Sequence, residues 1–333
     1  MQKRALILGA TGAMATYLVP KLVENGYHVD GLAFDGEKSS NPAFNLMFHD
    51  AKDEEFLKNL LLQKYDVLVD FLVYDTLDEY KRYYKMFLEG SEHYIYLSTY
   101  RVYADSCPIT ESSPRLLDVD LPDDFEKYRE YSIYKAEEEN FLRECGYKNY
   151  TIIRPAITYS KLRFQLTILE ANVLLHRIKE GKTVLLPAGA RHKQGTMSWA
   201  SDVADMIFAI ISDRKSFGET YTVSTSEHHS WEEIAEIYHR VTGLKYKFIP
   251  DEDFLNILSP GNIKVKQQLV YDRCFDRIID NKKILTLINK NQEDLMPLEQ
   301  GLKLEYEKVD ISKIQKNEEV CERMDNYIRE NNI

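Results

Sequence analysis

The sequence predicts an α/β protein built on a doubly wound, mainly parallel sheet, with a smaller mixed α/β lobe after it. Three observations carry that expectation. Short apolar runs alternate with amphipathic segments over residues 1–155, a glycine turn closes the first alternation, and the pattern becomes irregular after Pro155.

The elements follow in order. RALILG is a short apolar run, GATGAMA a glycine turn, and TYLVPKLVENG an amphipathic helix closed by Gly26, after which HVDGLAF returns to strand character. Strand, turn, helix and strand within about 30 residues make a βαβ unit, which requires parallel pairing. NLMFHD, DVLVDFLV, YIYLST and YTIIRP read as further strands; DEEFLKNLLLQ, TLDEYKRYYKMFLEG and the stretch around Tyr131 read as helices between them. In a sheet of this kind ligands bind beyond the carboxyl ends of the strands. Past Pro155, FQLTILEANVLLHRIKEG reads as helical, KTVLLPAGARHKQG mixes strand and loop, and ETYTVST returns as a strand. Ser230 and Glu233 form a capping box for the helix that follows, and KNEEVCERMDNYIREN reads as an amphipathic surface helix.

Composition narrows the classes of function. A chain of 333 residues with 44% hydrophobic content can bury a large core, in one large domain or two. No apolar run reaches the ~18 residues of a membrane span. MQKRALILGATG runs straight into a glycine turn and lacks the features of a signal peptide. Cys107, Cys145, Cys274 and Cys321 are scattered without paired spacing, so neither a disulfide framework nor a zinc site is expected, and a reducing cytoplasm is. His228 and His229, in a turn, have no spaced partners that would suggest a metal. A net charge of −11 and a pI near 5.3 disfavour a nucleic-acid partner.

The first chemical signal is the turn Gly9-Ala10-Thr11-Gly12-Ala13-Met14-Ala15. A dinucleotide pyrophosphate needs backbone amides at a helix N-terminus and no side chains in its way. Gly9 allows the sharp turn, Gly12 allows close approach, and Ala15 still permits close helix–strand packing. An ordinary strand–helix turn is the alternative, and the position between strand and helix favours the phosphate. The end of the second strand should choose between NAD and NADP. Asp35 favours NAD without excluding NADP, and a simple loop acid is its other reading. Asp50 reads either as a hydrogen-bond partner of adenine or as a helix N-cap.

The second signal is YREYSIYKAEEE, residues 128–139. Of Tyr128, Tyr131 and Tyr134, only Tyr131 stands four residues before Lys135, so the two share a helical face. A tyrosine is a poor base at neutral pH, and a neighbouring ammonium and the cofactor's positive ring favour its phenolate. The lysine can also hold the cofactor ribose. Ser98 and Thr99, ending an apolar strand upstream, supply a hydroxyl to orient the oxygen whose proton Tyr131 takes or gives.

Taken together, Gly9-x-x-Gly12-x-x-Ala15, Ser98-Thr99 before Val102-Tyr103, Tyr131-x-x-x-Lys135, Arg154-Pro155 and Asp202-Val203-Ala204 resemble the extended short-chain dehydrogenase/reductases, the NAD-dependent epimerase/dehydratase family. The resemblance runs to about residue 305. It implies a Rossmann-type domain over 1–155 with sheet elements returning around 195–226, and a substrate lobe and C-terminal helix in 156–194 and 227–333. It also implies that Thr99, Tyr131 and Lys135 are catalytic, with Tyr128 and Tyr134 ordinary helix-face residues. The expected cofactor site comprises Gly9, Thr11, Gly12, Ala13, Met14, Asp35, Asp50, Phe71, Ser98, Lys135 and Pro155. Thr99, Arg101 and Arg191 are expected to contact substrate; Arg191, His192, Lys193, Arg273 and Arg277 are candidates for a substrate anion or a solvated basic surface.

The departures concern substrate more than fold. Ala104 and Ser160 stand where the family has glycine, and Phe71 and Leu72 replace an alanine pair. Similar 4,6-dehydratases carry Asp-Glu after the threonine; Tyr100 and Arg101 stand here, which argues against dehydration. The expectation is an NAD(P)-dependent epimerase of a nucleotide-linked sugar, compatible with a homodimer and acting without metal, nucleic acid or membrane. The alternatives are a reductase of a keto-sugar or other small carbonyl, and a catalytically idle cofactor-binding protein.

Overall fold

The structure, a computed structural model, describes residues 2–123, 127 and 129–333. β1 (Lys3–Leu8), α1 (Ala15–Glu24) and β2 (Tyr27–Ala33) form the first βαβ unit. β3 (Phe44–Phe48), α2 (Glu54–Leu61), β4 (Tyr65–Asp70), α3 (Leu77–Tyr80), α4 (Tyr84–Gly90) and β5 (Ser91–Leu97) follow. Next come α5 (Tyr131–Glu144), β6 (Tyr150–Ile153), α6 (Ala200–Ser212) and a late strand β7 (Thr220–Tyr221). The seven strands run parallel in the order β7-β6-β5-β4-β1-β2-β3. From β1 the chain winds outward through β2 and β3, then crosses back to β4 and winds the other way. The expected doubly wound sheet is present, and its order reverses between β1 and β4, where such sheets bind ligands.

Burial on both faces explains why these strands read as continuous apolar runs. Ala5, Ile7, Val67, Val69 and Ile95 pack with α1 and α6 on one side. Leu6, Leu8, Leu68, Tyr94 and Tyr96 alternate with them and pack with α2 and α4 on the other. A third cluster fills the lobe, gathering Trp231, Tyr238, Phe254 and Met324 with Tyr100 and Tyr103 from beyond β5. The Ser230 capping box and the C-terminal helix (Glu318–Glu330) are both as expected.

Four local expectations are corrected. The strand read in DVLVDFLV stops at Asp70, because its carboxylate accepts the Leu72 amide at 3.0 Å and turns the chain. TLDEYKRYYKMFLEG forms two short helices, a break that lets Tyr80 and Tyr83 both bury against Tyr74. The helix read over 164–181 begins only at Ala171; Gln165–Leu166 and Leu169–Glu170 form a hairpin before it, turned by Thr167 at φ 53. The N-cap of α2 is Asp53, which accepts from Glu55 and Phe56, whereas the exposed Asp50 accepts the Lys52 amide.

Candidate functional site

A cleft of about 760 Å³ lies beyond the carboxyl ends of the central strands. At one end is the glycine turn. Gly9 has φ +80, and a Cβ there would meet Phe71 Cβ at 3.3 Å. The Gly12 amide donates to the Gly9 carbonyl at 3.1 Å, and a Cβ on Gly12 would meet the same oxygen at 3.3 Å. Helix α1 then starts with no side-chain cap and no acid in its first turn. The Thr16 and Tyr17 amides donate to the Gly12 and Met14 carbonyls, so the amides ahead of them, at Ala13, Met14 and Ala15, are the candidate donors for an anion, and the absence of a carboxylate in the first turn leaves the helix dipole uncompensated. Thr11, Ala13 and Met14 line the cleft beside them, while Ala15 is fully buried where α1 meets the sheet. A dinucleotide pyrophosphate fits this turn.

Phe34 and Asp35, immediately after β2, also line the cleft, and Phe34 is 80% exposed. Asp35 and His49 are the titratable groups here, and among the described residues no lysine or arginine from this region lines the cleft. That composition suits a ribose hydroxyl better than a 2′-phosphate. Asp50 does not line the cleft; its neighbours His49 and Ala51 do.

At the other end, Ser98, Thr99, Arg101, Tyr131 and Pro155 line the cleft with Phe71 between the two halves. Thr99 caps the short turn Tyr100–Val102, its Oγ accepting the Arg101 amide at 3.3 Å, which leaves the hydroxyl hydrogen unused by that bond. The Ser98 hydroxyl is instead committed to the interior, donating to Glu139 at 2.5 Å. Tyr131 is the first residue of α5, and its position is set by Glu130, whose carboxylate accepts from the Ser132 amide at 2.9 Å and hydroxyl at 2.6 Å. Glu130 also holds Arg101, whose guanidinium lies 5.6 Å from the Tyr131 ring centre and 3.3 Å from Asp272. Tyr134 does not line the cleft and carries Arg129 over its ring at 5.7 Å; Tyr128 lies outside the described residues.

Lys135 shares the Tyr131 face, as the four-residue spacing requires, but stands behind the cleft wall. It is fully buried, 6.0 Å from the Tyr131 ring centre, and its Nζ donates to Glu138 at 3.1 Å and the Tyr96 hydroxyl at 3.2 Å. Further along the helix, Glu139 receives Arg154 through both oxygens, with Nε to Oε1 at 2.7 Å. Burial alone raises the Glu139 carboxyl, but Arg154, assisted by Arg143 and Ser98, more than reverses this and brings it to about 2. The Arg-Pro stretch after β6 thereby pins α5 to the sheet.

The basic candidates separate. Arg191 does not line the cleft; it pairs with Glu232 and lies over Phe248. Arg273 and Arg277 are buried around Asp272, and Arg273 lines the cleft. Burial pulls Arg277 down to about 10, still charged at neutral pH. Arg101, Arg273 and Arg277 face Asp272 and Glu130, so positive charge is in excess at this end. Sequence reasoning did not find Phe34, Arg163, Gln165, Glu170 or Gln268 on the cleft wall, nor the roles of Glu130, Glu138, Glu139 and Asp272. One signal could have found two of these: Glu138 and Glu139 stand three and four residues after Lys135 and share its helical face.

No curated protein sequence matches the chain. Among solved structures, an epimerase from Methanothermobacter thermautotrophicus superposes with a TM-score of 0.70 at 14% identity, covering 92% of this chain and 91% of that one. The UDP-glucuronic acid 4-epimerase of Bacillus cereus, in complex with UDP-glucuronic acid and NAD, gives 0.66 at 18% identity over 91% and 98%. The Bordetella bronchiseptica enzyme WbmH, in complex with NAD+, gives 0.68 at 13% identity over 95% and 99%. At these identities the likeness is one of fold. Residues 130–319 match the NmrA-like family. The match to the NAD dependent epimerase/dehydratase family covers residues 5–224, which include the glycine turn, Thr99, Tyr131 and Lys135, and the chain belongs to that family.

Proposed function

We propose that the protein is an NAD-dependent epimerase of a nucleotide-linked sugar, working through a transient keto-sugar. The observation that carries this reading is the pairing of Thr99 and Tyr131 on the wall of one cleft whose far end is the uncapped start of α1. NAD, when bound, supplies the oxidation and the re-reduction of one sugar carbon. The turn at Gly9 and Gly12 would admit its pyrophosphate to the amides of Ala13, Met14 and Ala15, and Asp35 would hold a ribose hydroxyl.

The remaining work belongs to side chains. Tyr131 takes the proton of the sugar hydroxyl as that carbon becomes a carbonyl, then returns it when the alcohol re-forms with inverted configuration. Thr99 donates a hydrogen bond to the same oxygen and orients it. Arg101 and Arg273 give this end of the cleft its positive charge, suited to a phosphate or carboxylate on the substrate. Tyr100 and Arg101 occupy the two places after Thr99, and neither is a carboxylate able to drive loss of water.

The test is incubation with UDP- and dTDP-hexoses followed by product analysis. Interconversion of two epimers with no net change in the nicotinamide pool is expected. A 4-keto-6-deoxy product would overturn the epimerase reading, and net consumption of NADH or NADPH would make the protein a reductase.

A further inference from the structure

Behind the cleft wall is a buried cluster of ionisable side chains that the proposed chemistry leaves unused. Lys135 projects into it from α5 and meets the Glu138 carboxylate, one turn along the same helix, at 3.1 Å. From β5, the Tyr96 hydroxyl accepts from Lys135 and donates to the same Glu138 oxygen. From the end of β4, Asp70 accepts from Tyr74 at 2.9 Å and Tyr94 at 2.8 Å. Tyr80, from α3, packs into the cluster against Tyr74 and Tyr96. Lys135, Glu138 and Tyr80 are fully buried and Asp70 nearly so, and the second Glu138 oxygen has no hydrogen-bond partner among the described residues. The charged groups facing Lys135 are therefore Glu138 and Asp70. Tyr131 lies toward the cleft, with Arg101 beyond its ring.

Two features make this more than packing. A lysine that only filled space would not be matched with two interior carboxylates, each of which costs desolvation. The ammonium also sits between Glu138 at 3.1 Å and the Tyr131 ring centre at 6.0 Å, so whatever field it exerts at the cleft is partly cancelled by Glu138. Burial alone would lower the lysine, and Glu138, Tyr131 and Asp70 together more than reverse that; at Glu138 burial outweighs Lys135 and Tyr96 and holds its carboxyl above the ordinary value.

We propose that Glu138 is a positioning residue, holding the Lys135 ammonium on the interior side of α5 and so setting how much of its positive charge reaches Tyr131. The proposal rests on the reading of Tyr131 as the acid/base beside the cofactor. It makes Glu138, which no motif singles out, a determinant of how NAD+ affinity depends on pH.

NAD+ affinity measured by calorimetry across pH 6 to 10 tests it without a sugar substrate. A phenolate at Tyr131 attracts the positive ring of NAD+, so the wild-type affinity is expected to step upward with pH, and Tyr131→Phe to remove the step. Glu138→Gln keeps shape and removes charge; it is expected to move the midpoint of the step down by about one pH unit, the order of effect of removing one carboxylate from a protein interior. Tyr96→Phe removes an uncharged partner of the same lysine and is expected to leave the midpoint in place. If Glu138→Gln does not fold, Glu138→Asp, which retains the charge with a shorter reach, is expected to shift the midpoint in the same direction by less. An unshifted midpoint in a folded Glu138 variant, or an equal shift in Tyr96→Phe, overturns the proposal. Absence of the Tyr131-dependent step in the wild type overturns the underlying reading instead.

Discussion

Tyr131 and Tyr134 are three positions apart on one helix, yet only the first lines the cleft. The difference comes from the start of the helix. Glu130 caps α5 so that Tyr131 is its first residue, beside the turn that carries Thr99 and Arg101. Tyr131→Phe is expected to lower turnover on the order of a hundredfold or more, the usual range for a lost general acid/base. Tyr134→Phe should leave it close to the wild-type value. Steady-state rates of the two variants decide the matter, and equal losses would mean that the wrong phenol was chosen. Tyr131 was legible because the four-residue spacing to Lys135 is local. The lysine's partners Asp70 and Tyr96 were not, because they come from strands remote in sequence.

At the scale of elements, β1, the glycine turn and α1 form a unit whose chemistry is almost entirely backbone. A Cβ on Gly12 would meet little besides the Gly9 carbonyl at 3.3 Å, so a larger side chain there should intrude on a bound pyrophosphate more than on the fold. Gly12→Val is expected to abolish NAD binding at concentrations that saturate the wild type, with a melting temperature close to it. Calorimetric titration checks this, and an unchanged affinity would place the pyrophosphate elsewhere. The βαβ units were readable because period-2 and period-3.6 patterns are written into short windows. The hairpin over 165–170 was not, because its apolar residues suit a helix equally well and the left-handed turn at Thr167 uses a residue that seldom adopts it.

For the whole molecule, the buried Glu139–Arg154 pair ties α5 to the end of β6. Glu139 has a depressed carboxyl, about 2, so its contribution to stability is fully present above the ordinary carboxylate value of 4.5 and is lost as pH falls toward 2. A shift of this size corresponds to roughly 3 kcal/mol. Glu139→Gln should therefore be destabilised by a few kcal/mol at pH 7, since Arg154 is left buried without its counter-charge. The gap to the wild type should narrow steadily as the pH falls from the ordinary carboxylate range toward the depressed value of about 2. Denaturant unfolding at several pH values measures it; a gap independent of pH would show that the pair is not what holds helix to sheet.

Sequence alone determined the doubly wound sheet, the glycine turn and the helical face that Tyr131 shares with Lys135. Each depends on spacing within a window of a few residues, where backbone geometry converts sequence directly into position. Tertiary structure alone decided that Arg191 lies away from the cleft while Arg273 lines it, that Phe34 stands exposed at the cleft wall, and that Lys135 meets the Tyr96 hydroxyl behind that wall. Those outcomes depend on which side chains meet from strands and loops far apart in the chain, and on the cost of burying charge, which selects its partners only once the core has formed.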